Sequence, residues 1–153
     1  MTRRDRLNAG IIAGAVGGLL VVLFLFMLQL DSAAPTPAAF FTFAAVALLG
    51  PSAYAYPAAA VLGVVLIFVL AIGWALGYVH LARSQRQLVT RPFVSGAAFG
   101  LVVYTVSQIA LLATGLYRSL GPVQLWEVLA GNLLFYGIPV ALIVSSFARA
   151  RTT

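Results

Sequence analysis

The sequence predicts an all-α integral membrane protein, a bundle of four transmembrane helices with a short interfacial or re-entrant helix between the first two. Three observations predict this fold. Apolar residues make up 63% of the chain and charged residues only 8%, against about 25% charge in soluble domains. Four apolar stretches are long enough to cross a bilayer, and the arginines cluster just beyond them. We expect residues 1–153 to form a single membrane domain.

The four predicted spans each exceed the ~20 residues that a helix needs to cross about 30 Å of hydrocarbon. They cover residues 9–30, 58–82, 93–117 and 123–148. The first span follows "MTRRDR", which resembles the start of a signal peptide. Its apolar run of 22 residues is longer than the apolar region of such a peptide, so we expect a retained helix.

The arginines predict the orientation. All nine basic residues are arginine, and eight of them flank the spans on one side. These eight are Arg3, Arg4, Arg6, Arg83, Arg86, Arg91, Arg149 and Arg151. The positive-inside rule then places both termini in the cytoplasm. With abundant alanine and no lysine, the composition suggests a GC-rich bacterium and therefore a multi-pass protein of the bacterial cytoplasmic (inner) membrane.

The stretch "AAFFTFAAVALLGPSAYAYP" (38–57) is apolar but too short to be a fifth span. Twelve residues of helix at 38–49 reach only about 18 Å, and a fifth crossing would put one group of arginines on the wrong side. We expect a short helix on the outer side, either lying on the lipid surface or covering a cavity between the spans. Tyr54 and Tyr56 would then lie at the headgroup level.

Glycines at four-residue spacing predict where the spans pack. They occur in the first, second and third spans, in the half nearer the arginines: Gly10, Gly14 and Gly18; Gly73 and Gly77; Gly96 and Gly100. Small residues four apart let membrane helices approach closely. The outer halves carry bulky side chains, so we expect a bundle that is narrow on the arginine side and wider outside.

A short connection centred near Leu120 predicts the register of the third and fourth spans. The facing pairs are then Gln108 with Asn132, Tyr104 with Tyr136, and Ser95 with Ser145. Buried amides in a membrane need partners. Tyr104, Gln108, Asn132 and Tyr136, here called the polar seam, therefore form either interhelical hydrogen bonds or a site for water or a polar ligand. Pro139 predicts a kink, either static or a hinge, because it cannot donate to the carbonyl of Phe135.

Few residues are ionisable. On the outer side, Arg118 and Glu127 predict an ion pair, with a ligand-binding role for Glu127 as the alternative. His80, the single histidine, lies at the arginine-rich end of the second span. We expect it to bind headgroups or backbone; the alternatives are an axial ligand of haem or a chlorophyll-type pigment, or a proton relay.

Catalysis is not expected. The chain has no cysteine and one histidine, and no general acid–base pair or metal-ligand set assembles from its motifs. The charge of +6 lies beside the spans, which indicates topology determinants and not a nucleic-acid site. We expect a non-catalytic accessory or scaffold subunit, with no cofactor, that packs with other membrane subunits or with itself. The alternative is a carrier, channel or sensor for a small apolar or weakly polar ligand in an outward-facing cavity.

Overall fold

The computed structural model describes residues 2–29, 37–113 and 122–150. All secondary structure in these ranges is helical: α1 (Arg3–Gln29), α2 (Pro37–Leu49), a 3₁₀ segment (Gly50–Ala55), α3 (Ala59–Leu81), α4 (Gln87–Thr90), α5 (Pro92–Ala113), α6 (Pro122–Ala130), a π-helical segment (Gly131–Gly137) and α7 (Ile138–Arg149). Four helical stretches are long and apolar enough to span a membrane: α1, α3, α5, and α6–α7 with the π-helical segment. The predicted multi-pass helical protein is confirmed at this level, and a short helix lies between the first two spans.

Local chemistry determines where several helices begin and end. Thr2 and Asp5 form a reciprocal cap, in which the Thr2 amide donates to Asp5 Oδ2 (2.8 Å) and the Asp5 amide donates to Thr2 Oγ1 (3.3 Å). Because of this cap, α1 begins six residues before the predicted apolar span. Gly50 ends α2 with φ of 65°, the left-handed conformation typical of glycine after a helix.

The spans pack side by side in the order α3, α1, α7, α5, with antiparallel neighbours. The two central spans are more buried than the two flanking ones: 39% of the apolar core of α1 and of the fourth span is buried, against 22% for α3 and for α5. The helix ends that carry Arg3, Arg83 and Arg149 lie together, and we call this the arginine-rich end. Side chains connect the flanking helices, with the Phe99 ring 4.8 Å from Tyr78 and 6.5 Å from Trp74.

The fourth span is not a regular α-helix, because seven residues in its middle are π-helical. At the end of this segment the Ile138 amide donates to the Leu133 carbonyl, five residues earlier. The sequence predicts a kink here from Pro139, which has no amide donor. The structure has a π-helical segment immediately before the proline, a widened turn of the kind that is frequent at functional sites.

Five of the seven predicted packing glycines touch another helix. Gly10, Gly14 and Gly18 face α3, while Gly96 and Gly100 face the π-helical segment and the start of α7. At Gly14 the contact is backbone to backbone, because a Cβ there would lie 2.5 Å from Ile72 Cα. Gly73 and Gly77 are exposed, and a Cβ on either would meet no atom within 4 Å. The prediction that Gly73 and Gly77 pack inside the bundle is therefore wrong, since both lie on the face of α3 turned away from α1.

The predicted register of the third and fourth spans is also wrong. Gly100 lies opposite Leu133, with 2.8 Å between its ideal Cβ position and Leu133 Cα. A register centred at Leu120 instead places Val140 opposite Gly100. The facing position is therefore shifted by about seven residues from the predicted one.

The short helix α2 packs along the first turns of α3. Ala45, Val46, Ala53 and Ala59 form a small buried cluster, and the carbonyl of Phe41 lies where a Cβ on Gly63 would be. Since Gly63 lies four residues into α3, this contact is about 6 Å from the start of that helix. The end of α2 near Pro37 therefore lies further along α3 than the end near Leu49.

Candidate functional site

The polar seam residues do not form the predicted pairs. The Asn132 amide donates to the carbonyl of Val128 in its own helix (2.9 Å). Gln108 Oε1 is buried and has no hydrogen-bond partner among the described residues. Ser95 and Ser145 also bond elsewhere, Ser145 Oγ donating to the Leu142 carbonyl (2.9 Å). The register shift accounts for this, because it moves Asn132 away from Gln108 and next to Gly100.

Tyr136 contacts the first and second spans instead of Tyr104. Its hydroxyl donates to the Ala71 carbonyl of α3 (2.5 Å), and its ring lies against Gly17 of α1. The side chain is 3% exposed. Tyr136 thus connects three spans at the centre of the bundle, and any Cβ on Gly17 would overlap its ring. Tyr104 is only partly buried and makes no such hydrogen bond in the described structure.

A second polar cluster lies nearer the arginine-rich end, and the sequence analysis missed it. Tyr78 is 1% exposed; its hydroxyl lies 2.9 Å from Ser95 Oγ and 2.9 Å from the Leu88 carbonyl. This cluster connects α3, α4 and α5 and satisfies the polar atoms internally. A tyrosine close to a helix end predicts an interfacial ring, and only the fold shows that this one points inward.

The described structure has two cavities at the arginine-rich end that share Arg6, Val79 and Arg83. One, of about 330 Å³, extends toward Val144 and Ala148 of α7. The other, of about 260 Å³, lies between α1 and α3 and is also lined by Arg3, Leu7, Leu76 and His80. Arginine side chains and apolar residues therefore line the same space.

His80 is exposed and also lines a neighbouring cavity of about 290 Å³ with Arg83 and Ser84. It lies one residue before the end of α3, and its binding to headgroups or backbone stays a prediction. The haem or pigment ligand and the proton relay stay predictions. In the described parts of the chain, no three histidine or acidic residues come together as metal ligands would.

The predicted ion pair cannot be placed, because Arg118 lies outside the described residues. Its partner Glu127 is half-buried in α6, one residue after Trp126, which is 70% exposed. Residues 30–36 and 114–121 are also outside the described ranges. The outward-facing cavity therefore stays a prediction.

A lateral groove of about 260 Å³ separates α3 from α5 in the half of the bundle nearer the arginines. Its walls are mainly apolar and aromatic, and the lining includes Trp74, Gly77, Tyr78 and Phe99. The groove and the exposed Gly73 lie on the least buried side of α3. This is the surface on which another apolar group could approach the α3 backbone most closely.

Comparisons of the chain with protein-family models, with curated proteins and with solved structures found no match.

Proposed function

We propose that the chain is a non-catalytic accessory or scaffold subunit, which packs through one face of α3 against a transmembrane helix of another subunit or of a second copy. The observation that carries the proposal is the position of Gly73 and Gly77. Both are exposed in the described structure, and the space beside them is open.

Glycine inside a helix is unfavourable relative to alanine by about 1 kcal/mol. The other predicted packing glycines have a compensating contact, because atoms of a neighbouring helix occupy the place of the missing side chain. Gly73 and Gly77 have no such contact within the described chain. Close packing of a helix from another protein would provide one, since membrane helices associate through small residues.

The polar groups of the spans support a packing role over catalysis. Tyr78, Tyr136 and Asn132 bond to serine or backbone atoms of the chain itself. Charged side chains in the described ranges lie near the ends of the spans, at Arg3–Arg6, Arg83–Arg91, Glu127 and Arg149. Ion-coupled transport and intramembrane catalysis usually require ionisable groups deep in the membrane.

A bacterial cytoplasmic membrane, with both termini in the cytoplasm, belongs to the same proposal. The arginine-rich end has at least seven arginines among the described residues and one acidic residue, Asp5. The opposite end displays exposed Tyr54, Tyr56 and Trp126, the aromatic residues that favour the headgroup region.

The test is purification in mild detergent at native expression, followed by native electrophoresis. We expect a complex larger than the 16.1 kDa chain, and we expect Gly73→Leu with Gly77→Leu to dissociate it. The matched control is Ser107→Leu, which adds bulk at an exposed position of α5. A lone chain in the wild type, or equal dissociation by the control, would contradict the proposal.

The buried Oε1 of Gln108 supports a second candidate, a carrier or sensor of a weakly polar ligand. An unpaired amide oxygen in a low-dielectric interior is costly, and a ligand with a donor group would satisfy it. Native mass spectrometry of the purified chain distinguishes the two functions. A small molecule retained by the wild type and lost in Gln108→Leu would favour the carrier.

A further inference from the structure

The arginine-rich end contains two cavities that the proposed packing through α3 does not involve. Arg6 and Arg83 line both of the cavities described above, so each side chain borders both spaces. Arg3 and His80 extend the lining on one side. Arginine binds phosphate oxygens through two parallel N–H donors, a geometry that favours phosphate esters over simple surface attraction.

The charge at this end is strongly positive. Among the described residues, this end has seven arginines and one carboxylate, Asp5, whereas Glu127 lies in α6 at the opposite end. This excess of positive charge would attract an external anion.

The smaller cavity is lined by both arginine and apolar side chains. Below the arginines, the smaller cavity is walled by Leu7, Leu76 and Val79. Leu7 is 45% exposed and lies one turn into α1, where the apolar face of the helix begins. A ligand that spans the two cavities would meet both arginine side chains and hydrocarbon walls. A soluble anion would gain nothing from contact with an apolar wall, whereas the acyl chains of a phospholipid would pack against it.

We propose that the Arg6–Arg83 cavities form a binding site for an anionic phospholipid, with its phosphate on the two guanidinium groups and its acyl chains along Leu7 and Leu76. Basic pockets at the ends of transmembrane helices bind anionic headgroups in this way. The lipid would fill the space between α1 and α3 at the arginine-rich end.

The test uses the full chain in neutral detergent, titrated with phosphatidylglycerol or with phosphatidylcholine of the same acyl chains. Native mass spectrometry measures the dissociation constant of the first lipid bound. We expect phosphatidylglycerol to bind roughly tenfold more tightly or better, since each arginine near an anionic headgroup contributes about a fivefold gain. Equal affinity for the two lipids would overturn the proposal without any variant.

Two matched double variants locate the site. Arg6→Gln with Arg83→Gln should abolish the preference for phosphatidylglycerol. Arg86→Gln with Arg91→Gln removes the same charge at the same end, from residues that line neither cavity, and should keep the preference. Equal loss in both variants would show general attraction to the basic surface and would overturn the site.

A third arm distinguishes the lipid from a soluble phosphate. Glycerol phosphate carries the same phosphate chemistry without acyl chains. A millimolar excess should leave phosphatidylglycerol bound, because the apolar wall contributes to the affinity. If glycerol phosphate displaces the lipid, the site binds soluble phosphate esters and the phospholipid assignment is wrong.

Discussion

Glycines of similar spacing have different environments in this protein. Gly14 lies against the α3 backbone, whereas Gly73, one residue beyond its contact Ile72, faces open space. The spacing alone does not distinguish the two, because a four-residue repeat places glycines on one helix face without showing what that face meets. Their substitutions should therefore differ sharply.

Gly100→Ala should destabilise the bundle. Its Cβ would lie 2.8 Å from Leu133 Cα and overlap the carbonyl of Asn132. Since these are backbone atoms, the two helices must separate, and such overpacking costs about 1–3 kcal/mol. The measurement is thermal unfolding of the monomer in detergent. Gly73→Ala is the control, and it should be neutral or stabilising because its Cβ meets nothing. Equal effects would refute the described packing of α5.

Tyr136→Phe should remove one interhelical hydrogen bond and leave the ring packing intact. The hydroxyl bonds to Ala71 across the bundle, and such bonds contribute about 0.6 kcal/mol on average in measured membrane proteins, up to about 1.7. Tyr104→Phe removes a hydroxyl with no partner in the described structure and should cost less. Unfolding free energies in bicelles would measure both. A larger loss of stability in Tyr104→Phe than in Tyr136→Phe would contradict the assignment of the interhelical hydrogen bond to Tyr136.

The sequence identified the chemistry of these residues better than their partners. Tyr136 and Asn132 were expected to bond across the third and fourth spans, yet the one bonds to α3 and the other to its own helix. Hydropathy gives the depth of a residue to within a few positions. Hydrogen-bond partners need a register accurate to one residue, and residues 114–121 contain no signal strong enough to define it.

At the scale of helices, the predicted spans agree with the structure within a few residues wherever hydrophobicity ends abruptly, as at Leu81 and Pro92. The start of α1 was missed because the Thr2–Asp5 cap is polar and lies outside the apolar run. Pro139 indicated a disturbed fourth span. The π-helical form of that disturbance depends on its neighbours, since Gly131 lies against Phe24 of α1 and Gly137 against Gly96 of α5.

Gly63→Ala should undock α2 from α3 without unfolding the spans. The new Cβ would occupy the position of the Phe41 carbonyl and lie 2.6 Å from its carbon. The segments that move apart are held by few buried residues, so hydrogen exchange over residues 37–55 should increase roughly tenfold. Mass spectrometry of peptic peptides would show it.

The control for this variant is Gly77→Ala on the same helix, where a Cβ meets no atom. Exchange in α1 and α5 should stay unchanged in both variants. If α2 exchanges at the same rate in Gly63→Ala as in the wild type, then α2 does not pack on α3 as described.

For the whole molecule, the number of spans followed from composition, but the order of neighbours did not. The flanking positions of α3 and α5 depend on which face of each helix carries its contacts, and both helices are nearly uniformly apolar around their circumference. An amphipathic stripe, which reveals the buried side of a helix in a soluble protein, is therefore weak here. The arginines, in contrast, are distributed asymmetrically, so the sequence makes a definite prediction of orientation.

Orientation is directly testable because the chain has no cysteine. Ser52 is exposed in the 3₁₀ segment after α2, and Ser84 is exposed between Arg83 and Arg86 at the opposite end. With both termini in the cytoplasm, Ser52→Cys should react with a membrane-impermeant maleimide on intact cells. Ser84→Cys should react only after permeabilisation. Each substitution replaces one oxygen by sulfur at the surface, so the fold should tolerate both.

The two positions test different parts of the orientation. Labelling of position 84 from outside would show that the molecule has the opposite orientation, with its arginines outside and against the positive-inside rule. Labelling of both positions from outside would require an even number of crossings between them, or none, which α3 as a single span does not permit. Reaction at position 52 alone is the pattern that four spans and an inward arginine-rich end require, and it would also put the Arg6–Arg83 cavities in the leaflet that faces the cytoplasm.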